Sequence, residues 1–169
     1  VRGRDLQEMG AATAKEAEIM LGAVKPPSGL ITCITDPVCT GLLAHEVMGH
    51  ASEADEVVKR RSFLTDKVGE VVANEQLTMV DDGAVEGAYG SLSFDDEGTP
   101  PSRTVIIEDG IYRGYMHSLE TAAELDAAPT GNARAQDFGR RIWVRMTNTF
   151  FEAGDWTLEE MIEGVKFGI

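Results

Sequence analysis

The period at which apolar residues recur changes several times along this chain, and each change marks an element. From Asp5 to Ala23, Leu6, Met9, Ala12, Ala17, Ile19 and Met20 recur among charged residues at loosely helical spacing, and Lys25-Pro-Pro-Ser-Gly ends the run. Leu30-Ile-Thr-Cys-Ile-Thr is a short β-rich run stopped by Asp36-Pro37. Thr40 to His50 predicts a helix with Asp36 or Thr40 as N-cap. Gly69 to Val80 predicts a strand or two, Asp82-Gly83 a turn, and Ser91 to Phe94 alternates as strands do. The clearest local signal is Thr104 to Tyr115, where two β-rich runs flank Asp109-Gly110, a preferred type I′ hairpin pair. His117 to Ala127 suits a helix that stops before Pro129, and Ile142 to Phe151 reads as a strand. Thr157 opens a last helix with Glu160 at capping-box spacing. The expected fold class is α+β: a mostly antiparallel sheet with hairpins, packed against a few helices.

Composition narrows the function classes. The chain has 169 residues, enough for a single domain with a real core, and 43% of them are apolar. Fifteen basic and 29 acidic residues give a net charge of -14. That balance argues against nucleic acid and against an anionic membrane surface as partners, since both need excess Lys and Arg. No apolar run reaches the 18 or so residues that a membrane span needs. Cys33 and Cys39 are too few for a disulfide scaffold, so reduced thiols and a cytoplasmic location are expected. Val1-Arg-Gly-Arg-Asp has neither an initiator Met nor the apolar stretch of a signal peptide, and a segment cut from a longer chain is expected.

The candidate chemistry lies in Gly41-Leu-Leu-Ala-His45-Glu46-Val-Met-Gly49-His50-Ala-Ser-Glu53-Ala-Asp55. Two of the chain's three His fall here, in the spacing H-E-x-x-x-H. On a regular helix, residues four apart diverge by only about 40°, but residues five apart diverge by roughly 140°. His45 and His50 can therefore share an ion only if the backbone deviates between them. A π-bulge would bring them nearly into line. Ending the helix at Gly49 with φ > 0 would also free His50 to swing back. A distorted or terminating helix at Met48-Gly49 is the expectation. Given that geometry, His45 and His50 are zinc ligands and Glu46 is the general base of carbonyl hydrolysis.

Other residues compete for attention. Glu53, Glu70, Glu75, Cys39 and His117 are each a metal ligand by type, but no spacing singles one out. Glu53 suits a carboxylate that orients an imidazole. Asp95-Asp96-Glu97 precedes Gly98-Thr-Pro100 and reads as a solvated turn. Pro129-Thr-Gly-Asn132 and Met146-Thr-Asn-Thr149 carry polar groups suited either to sheet and turn chemistry or to an extended peptide. Arg140, Arg141 and Arg145 form a basic cluster that can offset carboxylates or hold a substrate carboxylate. Trp143 and Trp156 read as core or interface anchors.

The chain resembles the TldD/PmbA family of metallopeptidases, also known as the modulator of DNA gyrase family. The resemblance rests on Leu43-Ala-His-Glu-Val-Met-Gly-His, Glu53 and Asp55, Gly69-Glu70, Val80-Asp-Asp-Gly83 and Asp95-Asp-Glu-Gly-Thr-Pro100. Glu108-Asp-Gly110, Gly114-Tyr115, Pro129-Thr-Gly-Asn132 and Met146-Thr-Asn-Thr149 continue it in order. It implies a central fragment: residues 1–39 close an N-terminal region and 40–169 form the metal-binding, β-rich core. Keeping His45, Glu46 and His50 makes the chain similar to the active, TldD-like subunit. The family's third metal ligand is a Cys in a later region, so this fragment holds two of three and is expected to be inactive alone. The implied activity is zinc-dependent hydrolysis of small or unfolded polypeptides. The implied partners are a peptide substrate and a second subunit, in a homodimer or in a heterodimer with a motif-less, TldE-like relative. The alternative is a non-catalytic binding or assembly subunit of such a complex.

Overall fold

A computed structural model describes residues 5–169. The chain divides into two compact units, Ile34–Gly164 and the segment up to Cys33 together with Val165–Ile169. In the smaller unit, α1 (Leu6–Leu21) starts where the Asp5 carboxylate accepts from the backbone N–H groups of Gln7 and Glu8. No residue of α1 is buried. The apolar run that follows makes no strand; Thr32 forms an isolated parallel bridge with Gly168.

In the larger unit, α2 (Pro37–Leu43) is capped by Asp36, whose carboxylate accepts from the Cys39 N–H at 2.7 Å. Pro37 fits the first helical position, where a missing N–H loses no bond. Thr40, the other candidate cap, instead shares a hydroxyl hydrogen bond with Thr35. The strands are β1 (Met79–Asp82), β2 (Arg103–Glu108), β3 (Ile111–Tyr112), β4 (Ala133–Arg134), β5 (Trp143–Val144) and β6 (Thr149–Phe151). Four of them form an antiparallel sheet in the order β3-β2-β1-β6, and β4 pairs with β5. The β2–β3 turn has Asp109 at φ 50° and Gly110 at φ 76°, the paired positive values that a type I′ turn requires. With α3 (Ala54–Val58), α4 (Leu119–Glu124) and α5 (Leu158–Glu163), the fold is α+β with antiparallel sheets, as the patterning indicates.

Several expected elements differ in detail. The strand expected within Gly69–Val80 shrinks to β1, which begins at Met79 and runs through the Asp82 expected in a turn. Ser91–Phe94 makes no strand, because the Ser91 hydroxyl is drawn to the Val85 carbonyl and the Leu92 N–H to that of Gly83. Ile142–Phe151 breaks into β5 and β6. Between them, Thr147 and Asn148 turn their polar groups to Asp81 and Asp82 instead of continuing one ladder. The core of the larger unit gathers Leu64, Met79, Ile106, Ile107, Tyr112 and Met116 with Ala44. Neither Trp joins it: Trp143 is half-buried between Lys59 and Arg141, and Trp156 is exposed.

Candidate metal centre

The segment carrying the two His is not a regular α-helix. After α2 the backbone widens into a π-turn over Ala44–Gly49, then tightens into a 3₁₀ turn over His50–Ser52. The His50 N–H donates to the carbonyl of His45, five residues back, which is the π pattern. The imidazoles end up beside each other, with ring centroids 4.7 Å apart and planes at 83°. Ligand atoms of His45, Glu46 and His50 all lie within 4.8 Å of one another. His45 is half-buried, while Glu46 and His50 are exposed.

The distortion falls where the five-residue spacing requires it, and of the two devices considered the backbone uses the π-turn. Gly49 has right-handed φ -62°, so its role is not conformational freedom. It is space: a Cβ there would overlap the Met146 sulfur and stand 3.1 Å from the Ala44 carbonyl oxygen. The turn is held on its inner side by Ser52, fully buried, whose hydroxyl donates to the Met48 carbonyl at 2.7 Å. The hydroxyl of buried Tyr112 donates to Ser52 Oγ at 3.1 Å.

Glu53 sits directly behind His50. Its Oε1 is 3.1 Å from His50 Nδ1, and its Oε2 accepts from Arg145 Nη1 at 3.1 Å. Burial pushes the Glu53 carboxyl up to about 7, against the pull of the Arg145 guanidinium. With Nδ1 turned to this carboxyl, His50 presents Nε2 to the space shared with His45. Two imidazoles and an adjacent carboxylate converging in this way fit a zinc-type cation, which takes nitrogen and oxygen donors at about 2.0–2.2 Å.

The remaining candidates do not converge here. Cys39, Glu70 and Glu75 are exposed and stand outside this group. His117 is buried against Thr121, and burial pulls its imidazole below the usual range. Asp95 is buried and accepts from the backbone of Glu97, Thr99 and Ala133; Asp96 and Glu97 accept from the backbone of Ala135 and Leu119. The turn is thus a clamp between loops as well as a turn. The polar groups of the two loop motifs are also engaged internally. Asn132, Thr147 and Thr149 all donate to the buried carboxylate of Asp81. Sequence reasoning missed the roles of Ser52, Tyr112 and Asp81: Tyr112 and Asp81 act on partners distant along the chain, and the one local bond of Ser52, to Met48, depends on the π-turn.

Comparison with known proteins bears on the family of the chain. Residues 28–169 match the family model described as the PmbA/TldA metallopeptidase C-terminal domain. A metalloprotease of Methanocaldococcus jannaschii is 48% identical over 160 residues, covering 94% of this chain and 35% of the relative. A zinc metalloprotease TldD homolog of Saccharolobus solfataricus is 34% identical, covering 97% of this chain and 37% of the relative. Among solved structures, a Thermotoga maritima protein named as a modulator of a DNA gyrase superposes with TM-score 0.77 at 28% identity, over 95% of this chain and 36% of its own. TldE from Thermococcus kodakarensis superposes with TM-score 0.66 at 28% identity, over 76% of this chain and 29% of its own. The chain therefore spans about a third of the length of the relatives it matches. On the residues matched by the family model and by these relatives, the chain belongs to the PmbA/TldD family of metallopeptidases.

Proposed function

We propose that the protein is a zinc-dependent peptidase acting on small or unfolded polypeptides, with His45 and His50 as metal ligands and Glu46 as general base. The observation that supports this best is the convergence of His45, Glu46 and His50 on one point through the π-turn. The resemblance to the family implies a third ligand outside residues 1–169; among the described residues His45, Glu46 and His50 are the one such metal-ligating group, in which Glu46 is assigned to proton transfer. Zinc, when bound, supplies Lewis acidity that brings the pKa of water near 7. Glu53 fixes the His50 ring by accepting from Nδ1, and Arg145 fixes Glu53 in turn. Glu46 takes a proton from the attacking water as the C–O bond forms, then delivers it to the leaving amine as the C–N bond breaks. The protein acts in the cytoplasm and pairs with a second, TldD- or TldE-like subunit, a reading supported by the resemblance to TldE.

The test is Glu46→Gln in the full-length protein. Metal content by mass spectrometry is expected to stay at the wild-type level, while peptidase activity falls about 10²–10⁴-fold. Activity retained in this variant would remove Glu46 from the base role. The alternative, a non-catalytic assembly subunit, predicts equal inactivity of wild type and variant.

A further inference from the structure

Arg145 belongs to two recesses. One, of ≈ 550 Å³, holds His50, Glu53 and Arg61 on its walls. The other, of ≈ 670 Å³, is walled by Arg134, Arg140, Arg141, Arg145 and Trp143, and no carboxylate lines it. Four guanidinium groups within twelve positions are unusual in a chain of net charge -14.

Most of their donors are unengaged. Each guanidinium carries five N–H groups in a planar fork. Arg141 directs only Nη2 at Glu120, Arg134 directs Nη2 at the Met146 carbonyl, and Arg145 directs Nη1 at Glu53 and the Val144 carbonyl. The Arg140 guanidinium makes no hydrogen bond among the described residues; the Asp137 carboxylate stands 3.7 Å from its Nε. Trp143 packs against Lys59 and Arg141, 4.0 and 4.7 Å from its ring centroid, and so helps to fix the Arg141 fork. Planar N–H forks match a carboxylate, which accepts two parallel hydrogen bonds.

We propose that this arginine-lined recess binds a carboxylate of the peptide substrate, so that the enzyme selects acidic peptides or free C-termini near the scissile bond. The proposal rests on the peptidase reading above. It follows from the join at Arg145: the recess is two hydrogen bonds, Arg145 to Glu53 and Glu53 to His50, from the candidate metal centre. Extended peptide advances about 3.3 Å per residue, so the group that meets the recess is a carboxylate a few residues from the scissile bond. The acidic chain as a whole repels such peptides, and the four arginines reverse the sign locally. A nucleic-acid backbone fits less well, because it needs a basic track that continues past one recess, and outside the lining Arg145, Arg141 and Arg140 meet Glu53, Glu120 and Asp137.

The experiment uses the full-length, zinc-loaded protein carrying Glu46→Gln and measures peptide binding by calorimetry. Neutral octapeptides carry one Glu, or Gln in its place, at each successive position, and each is made with a free or amidated C-terminus. The expected result is about 10-fold tighter binding of the carboxylate form at one position or at the free terminus, which also identifies the carboxylate's source. Arg140→Gln and Arg141→Gln each reduce that preference, 0.5 M NaCl shrinks it, and the remote Arg113→Gln leaves it intact. Equal binding of Glu and Gln peptides at every position, with no effect of amidation, would overturn the proposal, as would equally tight binding of a short oligothymidylate. Wild-type hydrolysis of the same peptides separates the two readings. Selective binding without hydrolysis removes the peptidase and keeps the recess; hydrolysis without selectivity does the reverse.

Discussion

A methyl group at position 49 has nowhere to go. Gly49→Ala would drive a Cβ into the Met146 sulfur, an overpacking that costs about 1–3 kcal/mol. The expected outcome is a lower urea midpoint, and a smaller loss from Gly49→Ala when it is made in a Met146→Ala background than in wild type. An equal loss in the two backgrounds would show that the Met146 clash is not the cause. His117 gives a second residue-scale outcome. Burial lowers its folded-state value below the unfolded 6.5, so the unfolded chain binds the extra proton first on acidification. Stability therefore rises with pH up through about 6.5 and falls below it. In His117→Gln, denaturant unfolding at pH 5 and pH 7 is expected to show a smaller gap than in wild type. At this scale His45, Glu46 and His50 are legible because their chemistry and spacing are local. Tyr112 is not, and Arg145 is legible as a cation able to offset a carboxylate but not as the partner of Glu53, because the two bonds reach across 60 and 92 positions.

The π-turn is the element on which the site depends, and Ser52 is its buried fastening. Ser52→Ala leaves the Met48 carbonyl and the Tyr112 hydroxyl without this partner, at a cost of about 1–3 kcal/mol. Zinc affinity of the full-length protein is expected to fall about 10–100-fold, by analogy with the loss of a group that orients a ligand. Ser52→Thr, which keeps the hydroxyl, is expected to recover part of it; identical affinity in wild type and Ser52→Ala would detach the fastening from the metal. Helix starts read well from sequence, since Asp5, Asp36 and Thr157 cap partners only two or three residues away. The hairpin reads well for the same reason. Strand limits do not: β1 is an inner strand, and its Asp81 carboxylate collects Asn132, Thr147 and Thr149, which stand 51 to 68 positions away. Two adjacent Asp look like a turn until those donors are in place.

Across the whole molecule, apolar side chains stay uncovered on several elements. Neither α1 nor α5 buries a residue, and Leu21, Leu30, Tyr89 and Phe138 are almost fully exposed. Apolar surface of this kind marks contact faces. Residues 1–169 produced alone are expected to associate with rising concentration and to bind a hydrophobic dye, measured by sedimentation velocity and by fluorescence. A concentration-independent monomer without dye binding would contradict that. The residues that steady the two imidazoles also impose an order in time. Glu53 leaves the ribosome 92 positions ahead of the arginine that pins it, and the sheet cannot close until Thr149–Phe151 meets β1. During synthesis, therefore, a nascent chain carries both imidazoles and the local sequence of their π-turn long before Arg145 can pin Glu53 or the last strand can join the sheet.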